Sequence, residues 1–281
     1  MEPFQPSRTA QGAAMHRAAH QLLDRPPVFP DPFALRIVGA EAEADLRSGR
    51  DWHGYAAAGL RAFIAARSRF AEDSFAAAIA RGVDQYVLLG AGLDTFAYRA
   101  GADFPDIHVL EIDHPATQSW KRARLKEAGI VEPANLTFAP VNFEYETLAE
   151  GLARTSCDAA RPVFFAWLGV TPYLSRDAIF ATLEFVATAN SPGSEIVFDY
   201  AEPVTDAARR AGFDAMAARV AAAGEPFRSF FKPALLADEL RRIGFSDIED
   251  LDATALNRRY FVGRADGLKI AGGGHVLRAR V

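Results

Sequence analysis

The sequence predicts a doubly wound α/β fold, and three observations carry that prediction. Five short apolar runs recur between residues 86 and 200, helical segments separate several of them, and a glycine turn follows the first run directly. Parallel neighbours in a sheet need crossovers, usually helices, so runs spaced in this way read as strands of one parallel sheet. At 281 residues, 50% apolar and 24% charged, the chain can bury one large core without disulfides.

The chain opens with helical sequence. Residues 8 to 23 read as a helix that stops before Pro26-Pro27, because proline removes a donor and restricts the residue before it. It carries His16, Arg17 and His20, with alanine dominating its other face, and is expected to pack on the body or to form a lid over a site. Asp31-Pro32 reads as a cap followed by proline in the first turn of a short helix through Val38. The charged stretch from Glu41 to Arg50 reads as helix and then surface loop. Residues 55 to 80 carry Leu60, Phe63, Ile64, Phe70, Phe75 and Ile79 at three- and four-residue spacings and read as one long helix, with Asp73-Ser74 the place for a break.

Strands follow at 86 to 90 (YVLLG), 108 to 113 (HVLEID), 136 to 141 (LTFAPV), 162 to 168 (PVFFAWL) and 195 to 200 (EIVFDY), each suited to burial on both faces. Residues 115 to 128 and 176 to 189 supply crossover helices, the second with Ile179, Leu183 and Val186 on one face. After Tyr200 the rhythm changes. Residues 205 to 223 read as helix, PFRSFFKP introduces turns, and 234 to 242 form a helix ending near Gly244. GFSDIEDLD holds a sixth strand and HVLRARV, at 275 to 281, a terminal one, while 252 to 274 match no pattern. The expected organisation is a single domain over 1–281. A cap over the carboxyl edge of the sheet is expected from the N-terminal helices within 1–80 and an insertion at 201–232.

Composition narrows the function. A formal charge of -5, from 31 basic and 36 acidic residues, gives no general attraction to phosphate backbones, so nucleic acid is not an expected partner. The first twenty residues lack the apolar stretch of a signal peptide, and no later run reaches the roughly 18 apolar residues of a spanning helix, so a cytoplasmic protein without membrane contact is expected. Cys157 is the single cysteine and reads as an unremarkable loop thiol. HExxH, paired CxxC and GxSxG do not occur, so neither a metal site nor a serine nucleophile is expected. Composition says nothing about oligomeric state.

The sharpest local signal is Gly90-Ala91-Gly92, where small residues let the backbone turn and approach a ligand. GxG alone is weak. Asp113 strengthens it, standing at the tip of the next strand, 21 residues beyond Gly92, where a carboxylate accepts hydrogen bonds from both hydroxyls of a ribose. Glu111 has the same parity as Asp113, so either acid can face the ligand, with Asp113 nearer the tip. A dinucleotide and S-adenosylmethionine are the rival ligands. A pyrophosphate needs a helix N-terminus for its charge, and Asp94 repels it there while suiting a cationic α-ammonium, unless Asp94 caps its own helix.

In order along the chain, RTAQGAAMHRAAH, FPDPFA, AARSRFAED, YVLLGAGLDTFAYR, VLEIDHPATQSWKRARL, FFAWLGVTPYLSRDAI, FFKPALLADELRRIGF and RYFVGRADGL resemble the leucine carboxyl methyltransferase-like class of S-adenosylmethionine-dependent methyltransferases, particularly its bacterial branch. The resemblance implies a seven-stranded class I methyltransferase sheet with its last strand antiparallel, and S-adenosyl-L-methionine as cofactor. It implies methyl transfer to a carboxylate or hydroxyl oxygen and leaves both a small-molecule substrate and a protein's terminal carboxylate open as acceptor; the lack of basic clustering and the expected apolar cap favour the small organic acceptor. By the same resemblance Arg67 clamps the cofactor's carboxylate, for which a planar bidentate donor is apt. Gly90 lies against the methionine portion, with Ala91, Gly92 and Asp94 beside it, and Asp113 accepts from the ribose. Asn142 and Phe143 stand where the family has an acid and an apolar residue flanking the adenine; asparagine still accepts from the amino group and phenylalanine stacks on the ring. Leu168 stands where several relatives have a glutamate, a departure that motivates a third reading, a non-catalytic cofactor-binding or interaction protein. Tyr173 matches a tyrosine on the acceptor side.

Methyl transfer from a sulfonium displaces an already activated group in line, so alignment and exclusion of water dominate and no protein nucleophile is required. A carboxylate acceptor needs only positioning donors, whereas a phenol or alcohol profits from a base. Candidates for positioning or proton transfer are Tyr173, Tyr200, Arg228 and His275, which form no spaced constellation in the sequence. His114 reads as packing on the adenosine side or capping the next helix.

Overall fold

Seven strands form one sheet: β1 (Gln85–Leu89), β2 (His108–Asp113), β3 (Leu136–Pro140), β4 (Val163–Trp167), β5 (Glu195–Ala201), β6 (Asp247–Leu251) and β7 (Gly274–Arg280). The computed structural model describes residues 7–49, 58–100, 104, 106–143, 145–222 and 224–281. The strand order is β3-β2-β1-β4-β5-β7-β6. β1 to β5 pair in parallel, and β7 runs antiparallel to both β5 and β6.

Helices α1 (Arg8–Leu23), α2 (Ala34–Ile37), α3 (Ala40–Ser48) and α4 (Ala58–Ile79) precede the sheet. Crossover and edge helices follow as α5 (Phe96–Ala100), α6 (Pro115–Glu127), α7 (Leu148–Ala153), α8 (Arg176–Ala189), α9 (Ala207–Ala222), α10 (Pro233–Ile243) and α11 (Ala253–Tyr260). Local sequence sets their starts. Ser7, Ser175 and Asp252 each accept a backbone N–H of the first turn they precede, and Thr147 and Glu150 form a reciprocal capping box at α7. His114 caps α6, its Nδ1 accepting from the Ala116 N–H at 3.2 Å just before Pro115.

Three expectations change. α4 runs unbroken through Asp73-Ser74, because Phe70, Ala71, Ser74, Phe75 and Ala78 are all buried along its length; the expected start at 55 to 57 lies outside the described residues, as do the first six residues of the chain. The helix expected from Pro32 begins at Ala34, since the Asp31 carboxylate accepts from the Phe33 N–H at 3.0 Å and turns the chain before the helix. The 252–274 stretch contains α11, whose asparagine Asn257 exchanges hydrogen bonds with the backbone of Ile270 and so fixes the loop that follows.

Alternation along the strands divides the core into two faces. Tyr86, Leu88, Val109, Phe164, Ala166 and Val197 face α4, whose Ala62, Ala65 and Ala66 are fully buried and let the helix approach closely. Phe75 meets Tyr86 edge-on at 4.4 Å, and Phe96 stacks on Tyr86 at 4.1 Å; burying each such ring contributes about 1.5–3 kcal/mol. Val87, Leu89, Ile112, Phe165, Trp167 and Phe198 face Ile179 and Leu183 of α8 and Leu236 and Leu240 of α10. A third cluster joins α1 to α3 with Leu93, Leu125 and Ile130, so the N-terminal helices pack on the turn after β1 and on α6 with the loop that follows it.

Candidate functional site

The strand order reverses between β1 and β4, where the chain, having built β2 and β3 on one side, returns to continue on the other. An open α/β sheet has its ligand crevice at such a point, outside the carboxyl ends of the strands. β1 ends there in the glycine turn, and β4 ends in Leu168-Gly169-Val170.

Gly90 and Gly92 have φ of +66° and +49°, a region that side chains rarely adopt. The N–H groups of Gly90 and Ala91 both donate to the Ile112 carbonyl, at 2.8 and 3.2 Å, curling the turn over the tip of β2. Asp113 is held on that tip, one oxygen accepting from the Gly92 N–H at 2.5 Å and the other from the His114 N–H at 2.7 Å. Burial pushes its carboxyl above the usual range, against the opposing pull of those two N–H groups. Glu111 has a different fate. It is 1% exposed and lies 2.6 Å from the Lys121 Nζ of α6, so of the two acids of like parity only Asp113 stands at the turn. Asp94 caps α5, accepting from the Phe96 N–H at 2.7 Å.

Arg67 reaches the same crevice from α4. Its Nη1 pairs with the Asp199 carboxylate of β5 at 2.8 Å, and the other Asp199 oxygen accepts from the Gly169 N–H. Gly169 has φ +74°, and a Cβ there would lie 2.7 Å from Arg67 Nη2, so the missing side chain is what admits the guanidinium. A Cβ on Gly90 would likewise lie 2.5 Å from Val170 Cγ2. Sequence reasoning singled out neither Gly169 nor Asp199. The available signals were a glycine directly after a strand and a charge inside an apolar one. Leu168 is half-buried against the α4 face of the core. Although no glutamate stands at that position, the Asp199 carboxylate borders the same loop.

α1 crosses the crevice. The Ser7 N–H donates to Thr117 Oγ1 on α6 at 3.3 Å and the Thr9 N–H to Glu225 at 3.0 Å, while Ala10 Cβ lies 3.0 Å from where a Gly92 Cβ would be. Arg17 ties the helix down, donating to the Leu93 carbonyl and pairing with buried Asp31 at 2.8 Å. His16, buried on the same helix, is brought down to about 4 by burial and then by the charges of Arg61 and Arg67.

Asn142 donates its N–H to Glu146 at 3.0 Å beyond the end of β3, and Phe143 beside it is 47% exposed. Tyr173 closes a 3-10 turn (Thr171–Tyr173) after β4, its ring stacked on Phe227 at 5.4 Å, and burial pushes its phenol up to about 12. Arg228 donates its N–H to the Pro172 carbonyl at 2.7 Å and keeps its side chain exposed.

Tyr200 and His275 lie elsewhere, and together. Tyr200 alternates with Asp199 on β5 and so lies on the opposite face of the sheet from Arg67. Its hydroxyl donates to Asp250 of β6 at 2.5 Å. His275 of β7 stacks on its ring at 4.8 Å, with Nδ1 2.9 Å from the second Asp250 oxygen. Three strands thus assemble a constellation that no sequence spacing announced. Burial alone would lower His275, but the Asp250 hydrogen bond and the charges of Asp250 and Glu202 outweigh it and raise its pKa.

A surface groove of about 460 Å³ is bordered by Arg176, Phe230, Phe231, Leu235 and Leu236. Cys157 is half-buried, its thiol pushed up to about 11 by burial and by the charge of Asp158. Among the described residues, no helix is long and apolar enough to cross a membrane and no group of three or more histidine, cysteine, aspartate or glutamate side chains is placed to hold a metal ion.

The family model for leucine carboxyl methyltransferase matches residues 10–187. A Bacillus subtilis protein, YktD, provisionally named an S-adenosyl-L-methionine-dependent methyltransferase, is 34% identical over 210 residues, covering 72% of this chain and 67% of that protein. A protein of Mycolicibacterium gilvum with the same provisional name is 33% identical over 218 residues, covering 73% and 67%. Alignments with eight such relatives span between 62% and 67% of those proteins' own lengths. A crystal structure from Thermobifida fusca, provisionally named a methyltransferase, matches 92% of this chain and 98% of its own with a TM-score of 0.55 at 19% identity, a likeness of fold.

Proposed function

The chain belongs to the leucine carboxyl methyltransferase family, and on that premise we propose that it binds S-adenosyl-L-methionine in the β1–β4 crevice and methylates a carboxylate oxygen of a small organic acceptor. The observation that carries the reading is the convergence of the glycine turn, Asp113 and Arg67 at the reversal of strand order. The crevice fits this group, since its edges at Gly90 and Gly169 are bare where any Cβ would meet Val170 or Arg67.

Asp113 keeps lone pairs beyond the two occupied by backbone N–H groups, and these accept the ribose hydroxyls. Arg67, anchored through Nη1, offers its remaining donors to the methionine carboxylate. Gly90 lets that chain lie along the backbone, Asn142 accepts from the adenine amino group, and Phe143 covers the ring. When bound, the cofactor supplies a methyl group already activated by a sulfonium. The chain's own part is to align the acceptor with that group and to exclude water, for which α1 lies across the crevice.

A carboxylate is favoured over a hydroxyl because it arrives deprotonated. Tyr173, near 12, is a hydrogen-bond donor at neutral pH, and His16, near 4, is a weak base. Asp199 is paired with Arg67, Asp94 caps α5, and Asp113 holds the turn.

Thermal unfolding with added ligands tests the binding. S-adenosylmethionine at a hundred times its Kd stabilises the fold by about 2.7 kcal/mol. Stabilisation by NAD and none by S-adenosylmethionine overturns the reading. Transfer of labelled methyl from the cofactor to a panel of acids gives a product that releases its label as methanol in mild base. A base-stable product contradicts the carboxylate assignment, and binding without turnover on any acceptor supports the non-catalytic alternative.

A further inference from the structure

Tyr173 connects the crevice to a wall of aromatic rings in the cap. The chain from residue 226 to 231 is pinned across the carboxyl edge of the sheet. The Arg228 and Ser229 N–H groups both donate to the Pro172 carbonyl, the Ser229 hydroxyl donates to the Leu174 carbonyl, and the Phe231 N–H donates to the Ala201 carbonyl at 3.0 Å. That pinning sets Phe227 on Tyr173 with ring planes 26° apart, and Phe213 of α9 on Phe227 at 5.9 Å and 23°. Phe230 meets Phe213 and Phe227 edge-on, at 5.6 and 6.4 Å. All four rings are half-buried, unlike the sealed rings of Phe75, Tyr86 and Phe164 in the core.

We infer that the acceptor carries a planar aromatic ring that lodges against the wall of Tyr173, Phe227, Phe213 and Phe230, which makes its class the small aromatic carboxylic acids. The inference rests on the methyltransferase reading above and names its substrate class. Three near-parallel rings and one edge-on ring are the arrangement that a further aromatic guest extends by stacking and edge contacts, with an advantage over a saturated guest of similar size. Small size follows from the hydrogen bond between Thr9 and Glu225, two residues before Phe227, which closes the side of the wall nearest α1. Tyr173 stands at both places: its ring belongs to the wall, and it lies within the electrostatic reach of Arg67 and Asp199. A guest on the wall therefore directs its acid group towards the crevice.

The test compares 3-phenylpropionate with 3-cyclohexylpropionate, which share chain length and nearly share volume, by calorimetric titration into the full chain with and without saturating S-adenosylhomocysteine. The phenyl acid is expected to bind roughly three- to tenfold more tightly. Phe227→Leu is expected to erase that preference and leave the affinity for S-adenosylhomocysteine as it is. Should Phe227→Leu fail to fold, Phe213→Leu on α9 is read in the same way. Equal binding of the two acids, binding of neither, or a preference that survives the leucine variants overturns the inference. Absence of S-adenosylhomocysteine binding to the unaltered chain overturns the methyltransferase reading instead, and the ring preference is then still read on the protein alone.

Discussion

Asp199→Asn removes one charge and keeps the shape, and it tests whether the Arg67 arm is held electrostatically. Asp199 is 3% exposed and the Arg67 side chain 12%. Breaking a buried pair by removing one partner costs about 3–5 kcal/mol, and the residual exposure of Arg67 sets the expectation at the lower end, about 3 kcal/mol. At roughly 2–4 °C per kcal/mol for a large domain, the Tm falls by about 6–12 °C. The asparagine oxygen still accepts from the Gly169 N–H, but its amide now faces the guanidinium. Urea unfolding of Asp199→Asn, Arg67→Ala and the double variant gives the pair's coupling, expected at about 2 kcal/mol because each single change strands the other group. Single variants within about 0.5 kcal/mol of the parent, or losses that simply add, refute the reasoning.

Other consequences follow from the same crevice and from the buried histidines. Gly90→Ala places a residue at φ +66° with its Cβ 2.5 Å from Val170 Cγ2, costing about 1–2 kcal/mol for the backbone alone plus overpacking; adding Val170→Ala restores only the overpacking part in thermal melts, and full recovery contradicts the backbone argument. His16, near 4 in the fold against an ordinary 6.5, binds fewer protons than in the unfolded chain. Stability is thus lost as pH falls from 6.5 towards 4, by about 3 kcal/mol in all. His16→Gln removes that part of the acid sensitivity in urea titrations, and an unchanged acid slope refutes it. His275 has its pKa raised, so its contribution is fully present below pH 6.5 and is lost as pH rises through the raised value. His275→Gln should therefore flatten the stability profile above pH 6.5, and a profile parallel to the parent's contradicts the Asp250 pairing.

The legible parts of the fold are those where burial leaves a pattern. HVLEID and residues 176 to 189 match β2 and α8 residue for residue, because an apolar run buried on both faces and a one-sided helical stripe are each distinctive. α5, α7 and α11, of five, six and eight residues, are too short to show a period. The direction of β7 came from the resemblance alone, since alternation carries no sense of direction. Within the site, the pairing of Gly92 with Asp113 spans one strand-turn-helix-strand unit and was readable as spacing. Arg67 meets Asp199 across 132 positions, and Tyr200 meets Asp250 and His275 across 50 and 75; such contacts are products of sheet order, not of local sequence. Asp94 and Glu111 each admitted two readings from the sequence, because their neighbours are set by the fold: the Phe96 N–H bonds to the first and Lys121 pairs with the second.

If the Gly90–Gly92 turn and Asp113 together bind the adenosyl cofactor, calorimetric titration of S-adenosylmethionine into the parent protein and Asp113→Ala separates the two proteins. Loss of hydrogen bonds to a charged acceptor is worth about 1.5–3 kcal/mol, so the variant is expected to bind roughly ten- to a hundredfold more weakly while remaining folded. Equal affinity in the two proteins would contradict the account.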